Sequence, residues 1–449
     1  MVKFELEQSE EALTSHSGLG LVGAALHRMQ LHKQIDDVRL PGAKDDPIIP
    51  HSDVLKSYIG LLCQGKSQYE AIELFRDGDE FFPLALDMKV MPSCETLRQR
   101  LDQLGLLGES LTTLLKEKNL NLLKEAGVRL TPTLRELMGL DIDVSPFDNS
   151  KTKKEDVSRT YKGFDGYSPI FAYLGSEGYL VNTELRPGKQ HCQSGTPAFL
   201  KETLRLARLL SDDHLLVRMD AGNDAIENLS ILMQEKVDFI IKRNLRRENQ
   251  QNWLEIARSH GEGNVIRDGK TVYRGSIFLP REVTLDGKQE KRELRCVFEV
   301  TERTITADGQ QLLIPQIEVD SYWTSLPDPE AAIIEQYHQH ATCEQYHSEL
   351  KSDMDMERFP SGKFNTNQLV LHCGMVAYNI LRMIGQIANS RGYMPMRKRA
   401  NRRRIRTVIQ NLIYLAARLV SHARKRKLSF GKWSPWFPAY VRVYQQLLC

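Results

Sequence analysis

The chain has 449 residues, a length that predicts two to four domains. Hydrophobic residues make up 41% and charged residues 27% of the sequence, the ordinary balance of a globular protein that buries a core. No run of about 18 uninterrupted apolar residues occurs. The acidic start MVKFELEQSEEAL lacks the apolar segment of a secretion signal, so we expect a cytoplasmic protein without membrane spans.

The net charge of +3 hides a strong asymmetry. No Asp or Glu follows Glu357, and residues 358–449 contain 18 Lys and Arg. Removing those 18 charges from the total of +3 leaves −15 for the first 357 residues. Such a tail favours a polyanion as partner, although a solvated basic surface without a partner is the alternative.

The cysteines are scattered and none forms a CxxC pair, which predicts reduced thiols and neither a disulfide frame nor a zinc site. They are Cys63, Cys94, Cys192, Cys296, Cys343, Cys373 and Cys449.

The first predicted elements are helices, because apolar residues recur at helical spacing through much of residues 53–125. The stretch MPSCETLRQRLDQLG predicts a helix that begins near Ser93 and turns Leu97 and Leu101 inward. A short polar-faced helix after a turn is compatible with a helix-turn-helix DNA reader, and equally with an ordinary bundle helix.

Two predicted strands carry acids. In GLDIDVSPFDN the apolar residues alternate with Asp141 and Asp143, which places both carboxylates on one strand face; an exposed edge strand is the alternative. The run HLLVRMDAGN predicts a buried strand that ends in Asp220. A helix from about 225 to 235 and the strand VDFIIK continue an α/β alternation.

Residues 264–320 predict a block of antiparallel hairpins inserted into the α/β domain. Asp-Gly pairs at Asp268, Asp286 and Asp308 separate runs rich in β-forming residues. Three helices should follow. A long one starts at Pro329, an apolar one covers about 367–388, and a basic amphipathic one covers about 402–423.

Asp143, Asp220 and Glu344 stand out as possible ligands of a catalytic metal site. Cleavage of a phosphodiester uses anionic ligands that hold two divalent ions about 4 Å apart. Mg²⁺ prefers oxygen ligands and keeps several waters, so two or three carboxylates suffice. Because the chain has 58 Asp and Glu, spacing alone does not single out this set.

The helix around Glu344 adds a pattern. Tyr337, His340, Glu344 and Lys351 stand at i, i+3, i+7 and i+14, within roughly 60° of one another on a helix. A carboxylate beside a phenol, an imidazole and an ammonium suits a metal next to a DNA phosphate. A solvated helix face with charge pairing is the alternative.

The segment YHQHATCEQYHSELK resembles, in every spacing, the signature Y-x2-R-x3-E-x6-K of DDE transposases of bacterial insertion sequences. His340 stands where that family usually has Arg, which keeps a possible donor but weakens its grip on phosphate at neutral pH. The segments LDIDVS, VRMDAGN, LRPGKQHCQSG, MERFPSGKF and VAYNILRMI also resemble family segments in order. The likeness covers about residues 85–425.

The resemblance implies an α/β protein with an RNase H-like core, an inserted antiparallel β domain, an N-terminal helical region and basic C-terminal helices. The implied divisions are an N-terminal DNA-binding region, the first part of the core, the β insertion, the second part of the core and the basic tail. They cover residues 1–130, 131–247, 248–322, 323–390 and 391–449.

The resemblance also assigns roles to the acids. Asp143, Asp220 and Glu344 are implied as catalytic ligands of two Mg²⁺ ions, with Mn²⁺ as a possible substitute. Asp141 is the rival for the first position because it shares the strand face. We prefer Asp143 because the family's acid is closely followed by a small hydroxyl residue, here Ser145.

Further residues are implied as DNA contacts. Lys351 would contact the end of the transferred strand, and Tyr337 and His340 would contact phosphates or a flipped base. Trp253 and Trp323 are candidates for base stacking, although buried core positions are the favoured interpretation of both.

A basic cluster would track phosphates without sequence preference, which makes binding strongly dependent on salt. It consists of Arg397, Lys398, Arg399, Arg402, Arg403, Arg404, Arg406 and the run from Arg424 to Lys427.

The function implied is two-metal cleavage of DNA at the terminal inverted repeats of an insertion element, followed by strand transfer to target DNA. A homodimer would pair two ends, and the protein would associate with the nucleoid. The alternatives are a nuclease without strand transfer and a transposase-derived DNA-binding protein with a dead site. No G-x4-G-K-[ST] loop implies ATP, and no dinucleotide or nucleophile-elbow motif points to a metabolic α/β enzyme.

Overall fold

A nine-stranded mixed sheet joins the α/β core to the β-rich insertion. The structure is a computed structural model that describes residues 2–40, 47–76, 78–133, 136–245, 248–390, 393–398, 400–423 and 425–448. Arg399 and Arg424 of the predicted basic cluster lie outside the described residues.

The strands, in chain order, are β1 (Leu13–Thr14), β2 (Met138–Val144), β3 (Phe147–Asp148), β4 (Ser158–Arg159), β5 (Asp165–Tyr167), β6 (Ile170–Leu174), β7 (Tyr179–Glu184), β8 (Leu215–Met219), β9 (Asp238–Lys242), β10 (Gly261–Arg267), β11 (Lys270–Leu285), β12 (Lys288–Ile305), β13 (Gln311–Thr324), β14 (Ala417–His422) and β15 (Lys425–Phe430).

The helices are α1 (Leu19–Met29), α2 (His32–Ile35), α3 (His51–Leu62), α4 (Phe81–Ala85), α5 (Cys94–Gly105), α6 (Glu109–Glu125), α7 (Thr196–Leu210), α8 (Ile226–Gln234), α9 (Gln250–His260), α10 (Glu330–His338), α11 (Thr342–Ser348), α12 (Phe364–Asn389), α13 (Ile405–Val408) and α14 (Phe437–Leu448).

Five strands form the core of the large sheet, in the order β7-β6-β2-β8-β9. The first three along the chain, β2, β6 and β7, are neighbouring antiparallel strands. Helix α7 then crosses over to β8, which runs parallel to β2, and α8 crosses over to β9, parallel to β8. Three antiparallel strands extended by two parallel strands is the RNase H-like arrangement, so the predicted fold is confirmed.

The predicted hairpins form the other half of the sheet. Strands β10 to β13 are successive antiparallel neighbours, and each of their turns contains a glycine at positive φ: Gly269, Gly287 and Gly309. This backbone conformation explains the three Asp-Gly pairs. Strand β13 returns to pair with β9, so the insertion and the core share one continuous sheet.

Helix α12 is buried along nearly its whole length and packs against α3, α5, α6, α14 and β7. Helix α5 begins after Ser93, whose hydroxyl accepts a hydrogen bond from the Thr96 N–H, and Leu97 and Leu101 face inward as predicted. The first and last helices therefore share one hydrophobic core. A helix-turn-helix role for α5 stays a prediction. Among the described helices, none combines the length and the apolar character needed to cross a membrane.

The prediction of one basic helix over about 402–423 is wrong in its second half. Helix α13 and a widened turn at Ile409–Ile413 are helical, but β14 follows and pairs with β1 on one side and β15 on the other. The strand is stabilised by backbone hydrogen bonds to residues 13–14, which lie far away in the sequence. Local helical periodicity contains no information about such a pairing.

Candidate active site

Two of the predicted acids lie at the same edge of the core sheet. Asp143 is near the carboxyl end of β2, and Asp220 directly follows the carboxyl end of β8. The strands are parallel neighbours in which Ile142 pairs with Met219, so the two acids occupy adjacent positions. Neighbouring strands are about 4.8 Å apart, which brings both carboxyl groups to one small region.

Both acids line an open cleft of about 900 Å³. The third predicted acid, Glu344, lies on α11 and lines the same cleft, with its side chain exposed. The other lining residues that bear polar or charged side chains include Ser145, Tyr161, Lys162, Tyr337, His338, His340, His347, Ser348, Lys351, Ser352 and Glu357. The predicted helix face of Tyr337, His340, Glu344 and Lys351 is therefore turned towards the two strand acids.

Asp143 is held in place by its neighbours. The buried imidazole of His347 donates from Nε2 to Oδ2 of Asp143 at 3.1 Å, and the Val144 N–H donates to Oδ1 at 2.7 Å. The hydroxyl of Tyr173 lies 3.2 Å from Nδ1 of the same imidazole and donates to it. Burial alone would raise the pKa of Asp143, but the hydrogen bonds from His347 and Val144 and the charges of His347 and His340 together outweigh burial, and the pKa is lowered.

Asp220 has the opposite electrostatic environment. Burial and the nearby charge of Asp143 raise the pKa of Asp220 above its usual range. A hydrogen bond of 2.7 Å from the side-chain amide of Asn223 only partly offsets these effects. Two adjacent carboxylates that repel each other are stabilised by a cation placed between them.

Asp141, the rival for the first position, is buried and already paired. Both of its oxygens accept hydrogen bonds of 2.7 Å from the guanidinium of Arg218, which is also buried. Oδ1 accepts a further bond of 2.9 Å from His340. Burial would raise the pKa of Asp141, but the charges and hydrogen bonds of Arg218 and His340 together outweigh burial and lower the pKa. This environment favours a structural role for Asp141 and leaves Asp143 to the cleft.

The remaining signature residues, Tyr337 and Lys351, each contact neighbouring groups in the wall of the cleft. Tyr337 packs against Tyr322 and His340, with ring centroids 4.7 and 5.7 Å away. The ammonium of Lys351 donates to the Pro146 carbonyl at 2.7 Å and lies 5.2 Å from the centroid of the Phe147 ring. Burial lowers the pKa of Lys351 to about 8. An anion that entered the cleft beside this ammonium would stabilise its charged form.

Two sets of side chains are possible metal sites. In the described part of the chain, ligand atoms of Asp141, His340 and Cys343 lie within 4.8 Å of one another. The Arg218 cation occupies the side of that cluster where both oxygens of Asp141 point, and burial raises the pKa of the Cys343 thiol. Asp143, Asp220 and Glu344 instead line an open cleft with carboxylate oxygens, the donor set that hard divalent cations prefer.

Trp253 and Trp323 are core residues, which is the interpretation favoured from the sequence. Trp323 is fully buried and donates to Asp224 at 2.9 Å, and the guanidinium carbons of Arg243 and Arg281 lie 4.5 and 4.6 Å from its ring centroid. Trp253 is 3% exposed and packs against Phe298. Neither indole is available to stack on a base.

Three of the cleft residues that sequence reasoning missed contribute polar side chains beside the acids. His347 lies one turn after Glu344 on the signature helix, a spacing that could have drawn attention to it. Tyr161 and Lys162 lie in the turn between β4 and β5 and carry no sequence signal. The Tyr161 side chain is 70% exposed, while its hydroxyl donates to the Val144 carbonyl at 3.3 Å, directly after the strand acid Asp143.

The predicted basic cluster divides into two groups. Arg402, Arg403, Arg404 and Arg406 donate to groups within the fold. Arg397, Lys398 and the run Lys425–Lys427 are exposed, and no ion pair involves them in the portion of the chain that is described. A role of either group in binding DNA stays a prediction.

An RNase H-like sheet with acids at the ends of adjacent parallel strands, facing a third acid on a helix, is the architecture of metal-dependent nucleases and polynucleotidyl transferases. The sequence profile of the family described as Transposase DDE domain group 1 matches residues 2–448. The chain therefore belongs to the DDE transposases, enzymes that cut DNA and transfer its strands with the help of divalent metal ions.

Comparison with solved structures gives a distant likeness to piggyBac transposase in a synaptic complex with hairpin DNA. The similarity covers 91% of this chain and 82% of that chain, with a TM-score of 0.43 and 13% sequence identity. At this level of similarity no residue role or partner is transferred. A comparison with curated proteins gave no match.

Proposed function

We propose that Asp143, Asp220 and Glu344 form the active site with which this transposase cuts the ends of its element and joins them to target DNA. The observation that carries the proposal is the shared cleft. Two adjacent strand ends and a facing helix turn three carboxylates towards one open space. The raised pKa of Asp220 beside Asp143 supports the same assignment, because such a pair binds a cation readily.

Two Mg²⁺ ions, or Mn²⁺ in their place, would activate the attacking water or 3′-hydroxyl and stabilise the leaving oxygen when bound here. The chain's own residues prepare the site. His347 orients the Asp143 carboxylate, and Asn223 orients that of Asp220. Because these bonds exist before DNA enters, the acids need little rearrangement when the reaction begins.

The cleft also offers contacts for the DNA strand. Lys351 supplies a positive charge beside the acids, and Tyr337 offers a half-buried ring at the same wall. His340 keeps part of its surface on the cleft, but its Nδ1–H is committed to Asp141. We therefore assign phosphate contacts to Lys351 and Tyr337 first, with His340 contributing through its remaining ring edge.

The partners we propose are the terminal inverted repeats of the element, the target DNA and a second copy of this chain. Cutting and joining two ends requires that they be held together, and a homodimer supplies one active site for each end. Such a protein would be found on chromosomal DNA.

The test is a combined cleavage and strand-transfer assay with DNA taken from the ends of the element, in Mg²⁺. We expect nicks at the element boundary and covalent joining of the new 3′-ends to a supercoiled target plasmid. Cleavage without joining would favour the alternative of a nuclease. Specific binding of end DNA without any cleavage in Mg²⁺ or Mn²⁺ would favour a DNA-binding derivative with a dead site.

Tyr161 supports a prediction about DNA binding. Substitution Tyr161→Ala should weaken binding of a fluorescent single-stranded oligonucleotide by about 5- to 150-fold, because stacking of a base on an aromatic ring contributes about 1–3 kcal/mol. Tyr161→Phe keeps the ring and should bind within about twofold of the wild type, which anisotropy titration would measure. Equal losses in both variants would assign the effect to the hydroxyl and its bond to Val144, and no loss in either would remove Tyr161 from the DNA contacts.

The tip of the β14–β15 hairpin supports a second prediction. A triple Lys425→Gln, Arg426→Gln, Lys427→Gln variant should lower the slope of log Kd against log salt concentration by about 2.7, since each phosphate contact contributes about 0.9. The measurement uses a duplex of random sequence. A control triple variant at Lys124, Lys201 and Lys236 removes the same charge from other exposed positions. Equal slopes in wild type and the hairpin variant would exclude the hairpin as a phosphate contact.

A further inference from the structure

The segment from Arg402 to Arg406 crosses the signature helix directly after Glu344. Two carboxylates on this part of the helix, Glu349 and Asp353, are buried, with 2% and 0% of their side chains exposed. Buried carboxylates are strongly destabilising unless they are paired and hydrogen-bonded. Their partners are the arginines that the sequence predicts as DNA contacts, together with Arg382 of α12.

Alternate residues of the segment point the same way. Arg402 donates to Glu349 at 2.8 Å, Arg404 donates twice to Asp353 at 2.8 and 3.0 Å, and Arg406 approaches Asp353 at 3.3 Å. The intervening Arg403 instead donates to Asn389 and to the Lys398 carbonyl. Arg404 has extended backbone angles, which places Arg402 and Arg404 on one side of the chain, and Arg406 follows in the first turn of α13, where its N–H also donates to Asp353 at 3.1 Å.

The contacts continue along the helix towards the catalytic acid. Arg402 also donates to Gln345 at 2.7 Å, next to Glu344, and its guanidinium lies 4.6 Å from the Tyr346 ring centroid. Arg404 donates to Ser348 at 3.0 Å. The segment therefore contacts the helix at several levels, from the residue after Glu344 to Asp353.

The part of the helix that contacts the arginine segment has an unusual backbone. Residues Glu349–Asp353 form a widened turn, in which the Met354 N–H donates to the Glu349 carbonyl at 3.1 Å, five residues back. Lys351 lies in the middle of this turn. A widened turn rotates the side chains that follow it relative to a regular helix, and such turns are frequent at functional sites. Glu349 and Asp353 are the first and last residues of this turn, and arginines of the segment pair with the carboxylates of both.

We propose that Arg402, Arg404 and Arg406 are positioning residues of the active site, which hold the helix so that Glu344 and Lys351 face the cleft. The proposal rests on the function proposed above for Glu344. DNA phosphates would have to draw these arginines away from carboxylates that are almost completely buried. Asp353 would then lose both of its arginine partners, and Glu349 would keep only Arg382. About half of each of the Arg404 and Arg406 side chains is exposed, but the Nε atoms of both lie 2.8 and 3.3 Å from oxygens of Asp353, so each guanidinium is paired with the buried carboxylate.

The test compares two variants that each remove two positive charges. Arg404→Gln with Arg406→Gln should leave the salt dependence of binding to a random duplex unchanged, and should lower kcat for cleavage by about 100-fold with KM within about threefold. Lys425→Gln with Lys427→Gln should instead lower the salt slope by about 1.8. A slope lowered by about 1.8 in the Arg404/Arg406 variant would overturn the proposal. The salt slope is measured by DNA binding alone. It therefore tests whether Arg404 and Arg406 contact phosphates even if the protein does not cleave DNA.

Two further variants test the same role if the Arg404→Gln, Arg406→Gln protein folds poorly. Arg404→Lys keeps the positive charge but loses the bidentate hydrogen bond to Asp353, so its kcat should stay well below that of the wild type. Wild-type activity of this variant would indicate that a point charge on a DNA phosphate suffices at this position. Asp353→Asn should reproduce the loss of kcat, and combining it with the arginine changes should add little further loss. Tighter DNA binding by Asp353→Asn, with normal kcat, would mean that the freed arginines serve DNA and would contradict the proposal.

Discussion

Changing Asp143 or Asp220 to Asn, or Glu344 to Gln, should each reduce Mg²⁺-dependent cleavage of end DNA by at least about 1,000-fold. Loss of a charged metal ligand removes several kcal/mol of transition-state stabilisation, and about 4 kcal/mol corresponds to that factor. The amides keep the size and shape of the acids, so the effect reports on charge. The measurement is single-turnover cleavage with enzyme in excess, followed on a denaturing gel.

The control for these variants lies on the same helical region. Glu335 is an exposed acid of α10, and Glu335→Gln should cleave at the wild-type rate. Thermal unfolding of each variant separates lost chemistry from lost folding. If one of the three amide variants folded normally and cleaved within about tenfold of the wild type, that acid would not belong to the metal site.

The second large effect is expected at Asp141 and concerns stability. Asp141→Asn should lower the free energy of unfolding by about 3–5 kcal/mol, because it leaves the buried Arg218 cation without its counter-charge. Asp143→Asn should cost less than about 1.5 kcal/mol, since it changes one hydrogen bond at a partly exposed group. Denaturant unfolding of both variants measures the contrast. A stable, inactive Asp141→Asn beside an unstable Asp143→Asn would reverse the assignment of the two acids.

The stability that Asp141 contributes should also depend on pH. Its pKa in the folded protein is lowered by Arg218, against the opposing effect of burial. The contribution is therefore fully present above the unfolded value of about 4 and is lost as the pH falls through the lower folded value. The difference in stability between wild type and Asp141→Asn should accordingly shrink only in strongly acidic solution.

The parts of this protein that could be predicted from sequence are those encoded by short-range patterns. The alternation around Asp143, the apolar run before Asp220 and the Asp-Gly turns each specify a local structure, and the structure contains all of them. The spacing of the signature residues predicts one helix face, and these residues do line one cleft. These residues share one face although the helix contains a tighter 3-10 turn at Gln339–Ala341 and a wider π-helical turn after Ser348.

The parts that could not be predicted depend on contacts between distant segments. Asp141 and Asp143 are equivalent along their strand, and only Arg218 and His347 from other elements distinguish them. Strand β14 follows a helical apolar pattern in sequence, but its backbone partners are β1 and β15.

The roles of the basic residues also depend on contacts that the sequence does not reveal. The arginines at 402–406 and the basic residues at 425–427 are indistinguishable as charges in the sequence. They differ only because buried Glu349 and Asp353 stand opposite the first group.

The most direct test of the proposed active site is to locate Mn²⁺ bound to the protein by anomalous diffraction from crystals soaked in the metal. We expect two peaks about 4 Å apart, within bonding distance of Asp143, Asp220 and Glu344. Peaks at the buried Asp141, His340 and Cys343 cluster, with none at the three cleft acids under saturating metal, would contradict the account.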